Sequence, residues 1–63
     1  MRLATRYDYQ MFLQILTEAE QRVKDFAGTQ VAVNSAETVA LCNERLAIEG
    51  MTRAELKHRA KET

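Results

Sequence analysis

The sequence predicts a small all-α domain in which a long N-terminal helix packs on a second helix and a short third one. Apolar residues recur at helical spacing, and the chain contains no proline. The only two glycines, Gly28 and Gly50, each follow a periodic segment. Glycine readily takes the left-handed conformation that ends helices. We therefore predict one domain spanning residues 1–63, with helices at about 6–27, 35–49 and 53–62.

Each predicted helix starts with a capping side chain that precedes a carboxylate by three residues. The pairs are Thr5 with Asp8, Asn34 with Glu37, and Thr52 with Glu55. In such a capping box the first side chain accepts a hydrogen bond from a free backbone N–H. The carboxylate in turn accepts one from the N-cap N–H.

The first predicted helix carries an apolar surface that is too wide for one neighbour to cover. Its main stripe consists of Tyr9, Phe12, Leu13, Leu16, Ala19 and Val23. Met11, Ile15 and Phe26 lie beside the stripe and widen the apolar arc to about 200°, whereas a surface helix needs roughly 100°. We therefore expect this helix to be covered from two directions.

The later helices offer less apolar surface. In the second helix Val39, Cys42 and Leu46 face one way, while Leu41 and Ile48 face another. The third helix contributes Leu56 and Ala60. These residues can cover only part of the first helix.

Residues 29–33 are ambiguous. Val31 and Val33 alternate with small or polar residues, which suits a short strand. A lone strand has no partner within the predicted domain, although it could pair across a dimer. A link or an early extension of the second helix is favoured over a strand.

A second copy of the chain is the expected source of additional stability. A lone core in a chain this short supplies about 3–5 kcal/mol, so small proteins usually add disulfides, a metal or a partner. The single cysteine, Cys42, cannot form an internal disulfide and has no neighbouring ligands for zinc. We predict a homodimer. Its interface, or that of another partner, is expected to use Met11, Phe12, Ile15, Ala19 and Phe26.

Charge argues against a strongly basic nucleic-acid binder, because nine acids balance nine bases. Within the first helix, Glu18 with Arg22 and Glu20 with Lys24 are predicted i,i+4 ion pairs. The longest apolar run, residues 39–42, is too short for a signal-peptide core or a membrane span. A cytoplasmic protein without membrane contact is expected.

No catalytic or cofactor motif can be assembled from one histidine and two isolated glycines. Glu55 and His58 have the i,i+3 spacing of some metal ligands, but Glu55 is more simply a capping residue and His58 lies in a charged segment. Cys42 lies on an apolar stripe and is predicted to be a small core residue. We predict a non-enzymatic regulatory protein, with no cofactor or metal, that binds another macromolecule through a helical surface.

The alternative is a DNA-binding repressor. Five residues of the C-terminal half fall at spacings that resemble the second helix of the ribbon–helix–helix repressors: Gly50, Thr52, Ala54, Leu56 and Ala60. In that family two chains pair their strands and insert the ribbon into the major groove. The resemblance covers about half of the chain and implies that Gln30, Ala32 and Asn34 point at base edges, while Val31 and Val33 pack inward. The implied strand lacks lysine and arginine, and a long apolar helix precedes it.

Overall fold

A computed structural model describes residues 3–61 and places them in three helices. These are α1 (Arg6–Asp25), α2 (Gln30–Ile48) and α3 (Arg53–Lys61). No strand occurs among the described residues. The prediction of an all-α fold with three helices is therefore confirmed.

The predicted capping box starts α1. The Asp8 backbone N–H donates to Thr5 Oγ1 over 3.3 Å, and the Thr5 N–H donates to Asp8 Oδ2 over 3.0 Å. The helix ends at Asp25, two residues earlier than predicted, with Phe26 as its C-cap. Gly28 follows with a φ of 83°, the left-handed conformation expected of a glycine just beyond a helix.

The second helix begins at Gln30, five residues before the predicted start at 35. Thr29 is its N-cap and accepts a hydrogen bond from the Ala32 N–H over 3.4 Å. The predicted cap at Asn34 is therefore wrong, because Asn34 already lies within the second turn. The strand interpretation of residues 29–33 is also wrong, and the early extension of the helix is correct.

The ribbon alternative fails for the same reason. Helix and strand place alternate residues differently, because their side-chain periods are 3.6 and 2 residues. Val31 and Val33, which the ribbon would turn inward, are 44% and 53% exposed, whereas Ala32 is half-buried.

The third helix begins where the sequence predicts. Gly50 has a φ of 63°, and the Met51 N–H donates to the Leu46 carbonyl over 2.9 Å. Thr52 Oγ1 then accepts a hydrogen bond from the Glu55 N–H over 3.1 Å. The predicted end of this helix at 62 lies outside the described residues.

The core forms where α2 and α3 both pack against α1. Its buried cluster consists of Phe12, Leu16, Cys42, Leu46 and Leu56. Leu16 and Leu56 have no exposed surface. Each helix therefore supplies the cluster with at least one buried side chain, and the predicted main stripe of α1 is confirmed as its inward side.

Small residues allow α1 and α2 to approach closely on the loop side of this cluster. Ala19 and Ser35 are both buried and line the same depression between the helices. The backbones of α2 and α3, in contrast, make few contacts with each other. Helix α1 is consequently the common support for the other two.

We expect Cys42 to react slowly with a thiol reagent in the folded protein, because its side chain is buried against the core cluster. Cys42→Ala should destabilise the fold by about 1 kcal/mol, since it removes a small buried group. Labelling with a chromogenic disulfide reagent tests the first expectation, with the urea-unfolded chain as reference. Equal rates in the two states would show that the thiol is exposed.

We expect Gly28→Ala to lower the free energy of unfolding by about 1–2 kcal/mol. A Cβ at this position would meet no atom within 4 Å, so backbone strain alone accounts for the loss. Gly28→Asn should cost less, because asparagine tolerates the left-handed conformation better than alanine. Urea denaturation of the three proteins measures the order. An alanine variant as stable as the parent would contradict the assigned turn.

Candidate interaction surfaces

An apolar surface lies on one side of the α1–α2 pair. We call it the Ile15 face and define it by Met11 and Ile15 of α1 and by Leu41 and Ile48 of α2. Met11 and Ile15 are each 37% exposed, while Leu41 is 65% and Ile48 is 79% exposed. The two helices are antiparallel, so the apolar half of α1 lies beside the apolar half of α2.

Each helix contributes one row of side chains to this face. In α1 the outward row is Met11, Ile15, Glu18, Arg22 and Asp25. In α2 it is Asn34, Thr38, Leu41, Arg45 and Ile48. Both rows follow the alternating steps of four and three residues that keep side chains on one side of an α-helix, and two residues of each row are apolar.

Two shallow depressions of about 240 and 280 Å³ lie along the face and share Ile15 and Thr38. One of them is lined by the edges of Phe12 and Cys42, so its floor is the core itself. The Ile15 face is therefore furrowed rather than flat.

Two ion pairs lie along this face. Arg22 Nη2 lies 3.9 Å from Glu18 Oε2 on α1, and Arg45 Nε lies 3.0 Å from Glu49 Oε1 on α2. The Arg45 Nε–H does not point at that oxygen closely enough to form a hydrogen bond. These two ion pairs contribute no net charge.

The predicted interface residues divide into two groups. Phe12 and Ala19 are buried within the chain, where they contact the other helices. Met11 and Ile15 lie on the Ile15 face, while Phe26 is half-exposed at the loop end of the hairpin. Leu41 and Ile48 were not among the predicted interface residues, although their orientation away from the Val39 side was already a signal for them.

The residues that the ribbon alternative assigned to DNA lie at the start of α2. Gln30 and Asn34 are exposed, and the Gln30 amide donates to Asn34 Oδ1 over 3.0 Å. Ala32 is half-buried on a different side of the helix. The three side chains therefore do not share one surface as they would on a strand.

Polar contacts hold α3 along α1. The Arg53 guanidinium donates to both carboxylate oxygens of Glu20. At the other end of α3, the Gln10 amide donates to the Ala60 carbonyl over 2.9 Å. Glu20 was predicted to pair with Lys24, but its carboxylate is taken by a residue 33 positions away in the sequence.

A second contact joins the end of α3 to the start of α1. Arg59 donates to Tyr9 Oη over 3.0 Å and to Glu55 Oε1 over 2.8 Å, with its guanidinium carbon 5.5 Å from the centre of the Tyr9 ring. The hydrogen bond that Arg59 donates to Tyr9, and then the one that it donates to Glu55, raises the pKa of Arg59. Tyr9 thus helps to hold the end of α3 against α1.

The surroundings of Glu20 and Cys42 shift their pKa values in opposite directions. The hydrogen bonds from Arg53 hold the pKa of Glu20 below its ordinary value, with smaller contributions from the charges of Lys24 and Lys57. Burial raises the pKa of the Cys42 thiol. Cys42 is thus a poorer nucleophile than a free thiol at neutral pH.

Within residues 3–61 no three side chains among histidine, cysteine, aspartate and glutamate come together as metal ligands. Glu55 is engaged by Arg59, and His58 is exposed. No helix in this part of the chain has the length and hydropathy needed to cross a membrane. No protein-family model, curated protein or solved structure matches the chain.

We expect Glu20→Gln to lower stability at neutral pH by about 0.2–1 kcal/mol, as for other partly exposed ion pairs. Because the pair depresses the pKa of Glu20, its stabilisation is present above the ordinary glutamate pKa and is lost as the pH falls through the depressed value. The variant should therefore lose less stability than the parent on acidification.

Thermal unfolding from neutral pH down to acid measures this difference. Glu37→Gln is the matched control, because Glu37 is exposed and forms no ion pair with a described residue. If Glu20→Gln and Glu37→Gln lose stability equally on acidification, the Glu20–Arg53 ion pair contributes nothing to the stability of the fold.

Proposed function

We propose that this chain is a non-enzymatic binding protein that assembles as a homodimer and regulates another macromolecule by occupying its surface. The Ile15 face is the seam that receives the second copy. The observation that carries the proposal is the exposure of four large apolar side chains on one side of the α1–α2 hairpin. A buried free cysteine suits the reducing cytoplasm in which we expect the protein to act.

Energetics support a second copy as the occupant. Full burial of a large apolar side chain is worth about 1.5–3 kcal/mol, and a chain of this size gains only about 3–5 kcal/mol from a lone core. A dimer would partly bury four such side chains in each copy: Met11, Ile15, Leu41 and Ile48. The free energy gained in this way is comparable to the whole free energy of unfolding expected of one chain.

The shape and charge of the face also suit pairing with itself. Two antiparallel hairpins that pack face to face form a four-helix bundle, in which rows with steps of four and three residues interdigitate. Each ion pair of the face joins an acid to a base and so carries no net charge into the contact. The surfaces of α2 and α3 that point away from this seam remain available to a macromolecular partner.

We expect the purified protein to have twice the chain mass of 7.2 kDa at micromolar concentration. Ile15→Lys should weaken the dimer more than about tenfold, because it removes apolar contact and places a charge in the seam. Size exclusion with light scattering measures the mass, and circular dichroism reports the melting temperature.

Gln14→Lys is the matched control, since it adds the same charge one residue away on the exposed polar side of α1. It should leave both the mass and the melting temperature unchanged. A parent protein that stays monomeric and folded would refute the proposal. If Ile15→Lys leaves the dimer intact, the dimer interface must lie on another surface of the chain.

A further inference from the structure

A second groove lies on the side of the α1–α2 pair opposite the Ile15 face. Its lining comes from all three helices: Glu20, Val23 and Lys24 of α1, Ala36 and Val39 of α2, and Arg53 of α3. We call it the Val23 groove. It has a volume of about 450 Å³, within the range of about 300–1,000 Å³ that ligand sites occupy.

The groove exists because α2 and α3 pack on α1 but scarcely on each other. Helix α3 begins beside Glu20 and leads toward Tyr9 and Gln10, while α2 follows the neighbouring side of α1. The C-terminal half of α1 is left open between them. Val23 and Val39 are half-buried at this opening and form an apolar floor.

The rim of the groove is positively charged. Lys24 and Arg53 line it, and Lys57 follows one helical turn after Arg53 on α3. Glu20 is the one acid among the described residues that line the groove, so bases outnumber acids at the rim. Arg53 already satisfies the Glu20 carboxylate through two hydrogen bonds, whereas Lys24 and Lys57 form no ion pair with a described residue.

We propose that the Val23 groove binds an acidic peptide segment of a partner protein. An apolar side chain of the segment packs on Val23 and Val39, and its flanking carboxylates lie near Lys24 and Lys57. The apolar floor and the basic rim together favour this ligand over nucleic acid. A phosphate backbone could pair with the lysines, but it would leave Val23 and Val39 exposed to water. Opposite charge across such a site gives specificity and a faster association.

This inference is independent of the homodimer. The groove and the Ile15 face lie on opposite sides of the α1–α2 pair, since the two surfaces are lined by different residues of both helices. A monomer would carry one such groove, and a dimer would carry two.

The test is a nuclear magnetic resonance titration of the full chain with short synthetic peptides. One peptide alternates pairs of glutamate and leucine, a second replaces each leucine by alanine, and a third replaces each glutamate by lysine. We expect the first peptide to shift the methyl signals of Val23, Val39 and Ala36. The alanine peptide should bind about tenfold more weakly, and the lysine peptide should not bind.

Charge reversal at the rim provides the matched comparison. Lys24→Glu and Lys57→Glu should each weaken binding of the glutamate–leucine peptide about fivefold, because each replaces an attraction by a repulsion across a solvated distance. Arg6→Glu makes a like change in charge at the exposed start of α1, away from the groove, and should leave the affinity unchanged. Circular dichroism establishes that the variants remain folded.

Several outcomes would overturn the inference. They are no binding by the glutamate–leucine peptide, equal affinity for its alanine version, or methyl shifts at Met11 and Ile15 in place of the valines. Tighter binding of oligothymidylate than of the peptide at the same salt concentration would also reject it and indicate a nucleic-acid site. Light scattering in the same samples reports the dimer separately, so failure of one proposal is distinguishable from failure of the other.

Discussion

The structure depends on the burial of one helix from two sides. Leu16 lies at the centre of α1 with no exposed surface, between the contributions of α2 and those of α3. The apolar arc of α1 is wider than the roughly 100° that one neighbouring helix covers, so neither α2 nor α3 alone could bury it. Once α2 and α3 occupy adjacent sides of α1, Met11 and Ile15 stay partly exposed and form the α1 part of the Ile15 face.

The two partner helices are held by different forces. Helix α2 contributes Cys42 and Leu46 to the core and approaches α1 closely where Ala19 meets Ser35. Helix α3 has only nine residues and buries Leu56 and Ala60, so much of its attachment is polar. Exposed ion pairs contribute little individually.

The two candidate surfaces follow from this arrangement. Two helices packed on α1 leave the side of the hairpin opposite α3 uncovered, and large apolar side chains are exposed there. On the other side, the separation of α2 from α3 opens a groove whose floor is apolar and whose rim is basic. A chain with no net charge thus presents one apolar surface and one groove with a basic rim.

The sequence by itself determined the helices, most of their ends and the inward stripe of α1, because caps, glycines and apolar spacing act over a few residues. It also identified Met11 and Ile15 as lying outside the main stripe. Tertiary structure decided what local pattern could not. Residues 30–34 have valines in alternation, yet they join α2, because Thr29 caps the helix and no strand among the described residues is available for pairing. Glu20 pairs with Arg53 rather than Lys24 because α3 brings a bidentate guanidinium to it, and an exposed i,i+4 pair offers too little free energy to compete.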